Sequence, residues 1–260
     1  MRLSIAILIL LAACRQQPEP AANEAASTSA AKPAQPAAKA FVHDENNELI
    51  EFHYGWSAEA AAVPQLVERF RQEMAKVKSE LVAGAEEDKA MRDKEGYDFH
   101  GHMSSTDYQT AGRAGRLLSL VGEVGTYTGG AHGNSGTFGL LWDRSAKKEI
   151  EVADLFTAAA NMDRLLTQPW CDALNKAREE KRGEPIGGGM FDECPKLTEI
   201  AVIPTDQDGN GKMERLRLIA DPYVAGPYAE GSYEIELPVT ADVTAAIRSD
   251  YRESFEAQPQ

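Results

Sequence analysis

The segment YTGGAHGNSGTFG, Tyr127–Gly139, sets five glycines around one histidine, His132, three residues before Ser135. Acyl transfer requires a nucleophile, a base within hydrogen-bond reach and an acid that orients the base. The pattern does not supply them. Thr137 stands where a trypsin-like motif carries its second glycine, and Ser135 does not lie in G-x-S-x-G. A phosphate cradle calls for Lys-Ser or Lys-Thr after the glycines, and none follows. The segment therefore reads as a turn between strands. Gly129, Gly130 and Gly133 supply positive φ and close backbone approach, and His132 is left for packing or recognition.

Three other constellations bear on chemistry. Asp98, His100 and His102 fall at period two, on one face of a strand, and with His132 they form a candidate zinc set for a metal-dependent hydrolase. A half-exposed polar strand face explains the same residues. In TDQDGNG, Asp206, Asp208, Asn210 and Gly211 match positions one, three, five and six of a calcium loop. Position twelve is Arg217 where a bidentate glutamate belongs, and Glu214 is the acidic residue available to substitute. The plainer reading is a hairpin tip rich in turn formers. GPYAEG, Gly226–Gly231, presents Tyr228 and Glu230 on a constrained loop, suited to a binding edge or simply to joining two strands.

These residues need elements to hold them. NELIEFHYGW alternates and reads as a first strand; from Ala60 to about Asp93, apolar residues at Leu66, Phe70, Met74, Val77 and Leu81 mark one long amphipathic helix. Two extended runs follow, turned around Ala111–Ala114, then the pair TFGLLWD and KEIEVADLF. A helical stretch from about Thr157 to Arg182 is expected to kink or break near Pro169. LTEIAVIP and KMERLRLIAD flank the TDQDGNG tip, SYEIELP makes another strand, and a last helix runs from Thr240 to about Phe255. The order predicts an α+β fold with a largely antiparallel sheet, a long N-terminal helix, a middle helical segment and a C-terminal helix.

The ends and the composition bound the setting. MRLSIAILILLAAC has a positive start, an apolar middle too short to span a bilayer, and small residues before Cys14. Its last four residues resemble the bacterial lipobox. This predicts a signal peptide over 1–13, lipidation of Cys14, and an exported protein anchored by lipid to the cell envelope, with Arg15 fitting sorting to the outer membrane, facing the periplasm. Residues 14–40, rich in Ala and Pro and without an aromatic, read as a disordered tether reaching on the order of 30 Å. The formal net charge of -14 argues against nucleic acid and anionic membrane surfaces, leaving the lipid as the membrane contact, and it draws in basic partners. With Cys14 lipidated, Cys171 and Cys194 are an even pair in an oxidising compartment, expected to be bridged.

Two segments carry a family resemblance. YTGGAHGNSGTFGLLWD with EIEVADLF, and DPYVAGPYAEGSYEIELP, resemble the signature segments of the domain-of-unknown-function 3298 family over residues 111–260; the layout of residues 41–110 is similar to its companion module, number 4163. The resemblance implies a noncatalytic ectodomain. Such ectodomains occur on an anti-sigma factor that binds lysozyme and ahead of the separate catalytic domain of a peptidoglycan deacetylase. This chain departs from both, since its apolar stretch is cleaved and no two of its histidines are spaced H-x-x-x-H. What the resemblance leaves is a non-enzymatic binder of a lysozyme-like protein or a peptidoglycan-derived ligand, through Tyr127, His132, Tyr228 and Glu230. No cofactor is expected beyond a possible calcium at Asp206, Asp208 and Asn210. A structural envelope lipoprotein is the remaining alternative.

Overall fold

The computed structural model describes residues 38–258, so the signal peptide, Cys14 and nearly all of the tether lie outside the described residues. Strands β1 (Phe41–Asn46) and β2 (Ile50–Trp56) form a hairpin, followed by the short α1 (Ala58–Ala61) and the long α2 (Pro64–Glu95). Next come β3 (His102–Ala114), β4 (Leu117–Tyr127), β5 (Asn134–Asp143) and β6 (Lys148–Ile150), then α3 (Ala159–Arg182). The chain ends with β7 (Ala201–Thr205), β8 (Arg215–Ala220), β9 (Tyr233–Pro238), α4 (Ala241–Ala246) and α5 (Ser249–Arg252). The architecture is α+β, as the sequence predicts. A six-stranded sheet in the order β1 to β6 is antiparallel except where β2 runs parallel to β3, and β7, β8 and β9 make a second, antiparallel sheet.

The strand missed by pattern is β1. Its residues alternate between half-buried and exposed, and its charges suit an edge strand, so it lacks a strong apolar signal; Phe41 stacked on Trp56 at 3.9 Å holds it. The long helix lies where its periodicity places it, with Pro64 in the first turn and Gly96 closing the C-terminus at φ 74. Leu66 and Phe70 bury against Phe52, Tyr54, Trp56 and Tyr108, making the core on one face of the large sheet. The opposite face meets the small sheet through Val121, Ala201, Ile203 and Ile219. The largest cluster joins α3 to the small sheet and the C-terminal helices around Trp170, Leu174, Leu218 and Val243.

Four boundaries differ from expectation, each for a local reason. The β3–β4 turn falls at Gly115–Arg116, because the irregularity near Ala111 is a β-bulge within β3. The strand expected over KEIEVADLF stops at Ile150, and Val152–Leu155 form a single 3-10 turn in which the Asp154 carboxylate accepts the Glu151 N–H (3.1 Å) and the Glu151 carbonyl accepts the Asp154 N–H (3.0 Å). Helix α3 passes through Pro169 in one span. Pro169 is on the solvent side, while Leu166, Trp170, Leu174 and Arg178 are buried on the other. The last helix is two helices: Ile247 turns extended and the backbone pairs with the segment before α3, Arg248 donating to the Leu155 carbonyl (2.8 Å) and Thr157 to that of Ala246 (2.9 Å).

Candidate functional site

The glycine segment forms the end of β4, the start of β5 and the loop between them. Gly129 and Gly130 adopt φ of 94° and 101°, and a Cβ at Gly133 would sit 2.8 Å from the Thr126 carbonyl. Glycine is required at all three, by backbone conformation at two and by close approach at the third. The Tyr127 hydroxyl donates to the Gly130 carbonyl (3.2 Å), folding the loop back on its own strand.

Tyr228 sits in the connection between β8 and β9, far away in sequence, yet its ring stacks on His132 with centroids 3.8 Å apart and planes 19° from parallel. Its hydroxyl donates to the Gly133 carbonyl (3.1 Å), and Tyr223 lies 5.8 Å away at a tilt. His132, Tyr223 and Tyr228 are all exposed. The result is a small aromatic platform on the surface, bridging two loops. Tyr127 belongs to its support.

Glu230 serves the same turn from beneath. Its carboxylate accepts from Arg182 Nε (2.9 Å) and from the buried Tyr233 hydroxyl, so it is engaged in the fold and is not presented with Tyr228 as the sequence reading expects. Arg182 also holds Asp192 (2.7 Å), whose carboxylate accepts from the Gly189 and Gly187 N–H groups. Those donors, with the guanidinium, pull Asp192 down to about 2. Burial, and then the bond to Glu230, push Tyr233 up to about 12. One turn earlier on α3, Arg178 is fully buried and donates to the Ala225, Asp192 and Glu193 carbonyls. Two arginines of α3 thus fix the turn that carries Tyr228. The bridge between Cys171 and Cys194, present as expected, ties down the same neighbourhood.

Two hollows flank the platform along β5. A cleft of about 560 Å³ opens between β5 and β7, lined by Thr137, Gly139, Glu151, Ile200 and Val202. Asp221 reaches across its end and accepts the Thr137 N–H (2.6 Å). A hollow of about 350 Å³ on the sheet face away from α2 is lined by His53, Ser105, Asp107, Glu123 and Ser135. Sequence reasoning missed this second hollow, because Asp44, His53 and Ser105 become neighbours only through strand register. His53 Nδ1 lies 2.7 Å from Asp44 Oδ1, but no hydrogen bond joins His53 to Ser105 among the described residues. The Ser105 hydroxyl instead lies over Gly125, where an added Cβ would be 2.7 Å away. A base and an acid are present without an activated nucleophile.

The zinc set does not assemble. His100 and Asp98 precede β3, which begins at His102, so the three share no strand face. His102 is buried against α2 with Nε2 3.3 Å from Asp88, and His132 is engaged with Tyr228. Among the described residues, the group of three metal-capable side chains is Asp206, Asp208 and Glu214. Asn210 lies beside it, but its Oδ1 accepts the Lys212 N–H (2.8 Å) and its amide donates to Asp208 and Glu256. Arg217, at the twelfth position of the calcium pattern, is on β8 and paired with Glu234.

A crystal structure of a domain-of-unknown-function 3298 (DUF3298) family member from Bacteroides fragilis superposes with TM-score 0.52 at 17% identity, over 82% of this chain and 94% of that one. The fold is that of DUF3298 proteins. A DUF3298 protein from Pseudomonas aeruginosa gives TM-score 0.51 at 15% identity, over 85% and 95% of the two chains. Residues 42–135 match the family model described as deacetylase PdaC, which runs from β1 into the start of β5 and includes the loop of His132 but not the turn of Tyr228. No curated protein matches the chain. In this DUF3298 fold the platform therefore joins the region matched by the family model to the C-terminal half.

Proposed function

We propose that this chain is a non-enzymatic binding protein of the cell envelope, exported and held by lipid at Cys14, and that its ligand engages the platform of His132 and Tyr228. The observation that carries the reading is the exposed stack itself. Two aromatic rings from loops remote in sequence are fixed against each other by a hydrogen bond to Gly133 and by the arginines of α3, and then left uncovered. Rigid exposed rings supply contact area at low entropic cost, which suits recognition.

The family model's description names a deacetylase, and we read the matched region as contributing recognition. Three of its five histidines favour that reading, being engaged within the fold: His53 with Asp44, His102 with Asp88 and His132 with Tyr228. The carboxylate group at Asp206, Asp208 and Glu214 lies outside the match. A net charge of -14 favours a basic protein of the lysozyme class as the ligand. The stacked rings favour a second reading, a peptidoglycan-derived glycan, whose sugar faces pack on aromatic planes. Retention of lysozyme and of soluble peptidoglycan fragments by the immobilised protein at low salt tests both. Lysozyme retained and released by added salt supports the first reading, glycan retention insensitive to salt supports the second, and no retention of either overturns the proposal.

A further inference from the structure

We propose that the tip of the β7–β8 hairpin binds one calcium ion through Asp206, Asp208 and Glu214. Each offers a carboxylate oxygen within 4.8 Å of the others, inside the roughly 5 Å span that oxygens at 2.3–2.6 Å from a calcium ion can cover. The decisive group is Glu214. It is only 4% exposed, one oxygen accepts the Gln207 N–H (2.9 Å), and the other, Oε2, is buried with no protein donor. Asp206 repeats the pattern: Oδ2 accepts the Gly211 N–H (3.0 Å), while Oδ1 is buried and unpartnered.

A buried carboxylate oxygen without a partner is costly, and here two residues of one cluster each carry one. The last paired residues of the hairpin are Thr205 and Arg215, so Asp206 and Glu214 stand one step beyond, facing each other across the ladder. Like charges at such positions repel. Among the described residues no lysine, arginine or histidine forms an ion pair with any of the three carboxylates; nearby, Arg217 is taken by Glu234 and Lys212 by the Glu253 carbonyl. A hard divalent cation would satisfy both orphaned oxygens and remove the repulsion at once.

The ligands are also held in place without the ion. Asp206 donates its N–H to the Ala111 carbonyl at the β3 bulge (3.0 Å), and Gly112 leaves room for it, since a Cβ there would be 3.0 Å from the Asp206 nitrogen. The set differs from the sequence pattern in one member. Glu214 takes the place assigned to Asn210, whose side chain braces the loop against Lys212 and Glu256.

The test is calcium titration calorimetry on the protein stripped with chelator, with magnesium titrated in parallel and melting followed in calcium and in chelator. The proposal predicts one calcium per chain, a higher melting temperature in calcium than in chelator, and weaker binding of magnesium. Glu214→Gln should weaken calcium binding at least tenfold, yet melt in chelator no lower than the unaltered protein, because it removes one of two facing charges. Asp208→Asn, at an exposed position, provides a second variant if Glu214→Gln does not fold, and should also lose at least tenfold. No calcium heat together with identical melting in both buffers would overturn the proposal. So would calcium affinity unchanged in the variants.

Discussion

Replacing Cys171 and Cys194 by serine removes the covalent tie between α3 and the segment that follows it. The two positions are separated by 23 residues, and for a closed loop of about that length the chain-entropy relation assigns roughly 3 kcal/mol to the bridge. For a domain of this size that corresponds to a fall in melting temperature of about 6–12 °C. The loss should not stay local. The segment closed by the bridge carries Asp192, which shares Arg182 with Glu230, two residues from Tyr228, and it carries the Asp192 and Glu193 carbonyls that accept from Arg178; just beyond it, the Pro195 carbonyl accepts from Trp170. Far-ultraviolet circular dichroism during heating measures the stability change. Hydrogen exchange at Glu230 and Gly231, whose N–H groups bond the Pro227 and Tyr228 carbonyls, measures whether the turn loosens with it. A fall of less than about 3 °C would refute the reasoning, since the noncovalent bonds of Arg178, Arg182 and Trp170 would then hold the segment unaided.

Stability should also fall in acid through a defined window. Asp192 titrates in the folded state at about 2, below its ordinary 3.8, so its contribution is complete above about pH 4 and is lost as pH drops toward 2. Urea midpoints at pH 5, 4, 3 and 2 should decline more steeply in the unaltered protein than in Asp192→Asn; parallel curves would count against the assignment. Gly122→Ala should destabilise by about 1–3 kcal/mol, because the ring of Phe138 on the neighbouring strand covers the position where a Cβ would sit. A melting temperature unchanged by Gly122→Ala would mean that the ring can swing away at little cost.

Much of the fold was legible because it rests on periodicity. The stripe from Leu66 to Leu81 predicts α2 within a few residues at each end, and alternation finds β2, β3, β4 and β9. What was not legible depends on partners remote in sequence. β1 has an ordinary polar alternation that means little until Phe41 meets Trp56. Ile247 breaks the last helix because Leu155 offers a backbone partner. The platform divides in the same way. Tyr127, His132 and Tyr228 were visible as unusual residues in glycine-rich loops, but the stack of His132 on Tyr228 and the diversion of Glu230 to Arg182 come from tertiary packing. Spacing at His100 and His102 misled because a period-two argument holds only inside a strand, and β3 starts at His102.

The central claim, recognition at the His132 and Tyr228 platform, is tested most directly by titrating lysozyme into the unaltered protein and into the His132→Ala, Tyr228→Ala double variant at low salt. The variant also loses the ring stack and the Tyr228 hydrogen bond to Gly133, so it should melt about 2–4 °C below the unaltered protein while remaining folded. The account predicts binding to the unaltered protein and an affinity at least tenfold weaker in the variant, a loss of about 1.4 kcal/mol or more. Equal affinity in the two proteins would contradict it and move the binding surface elsewhere on the molecule.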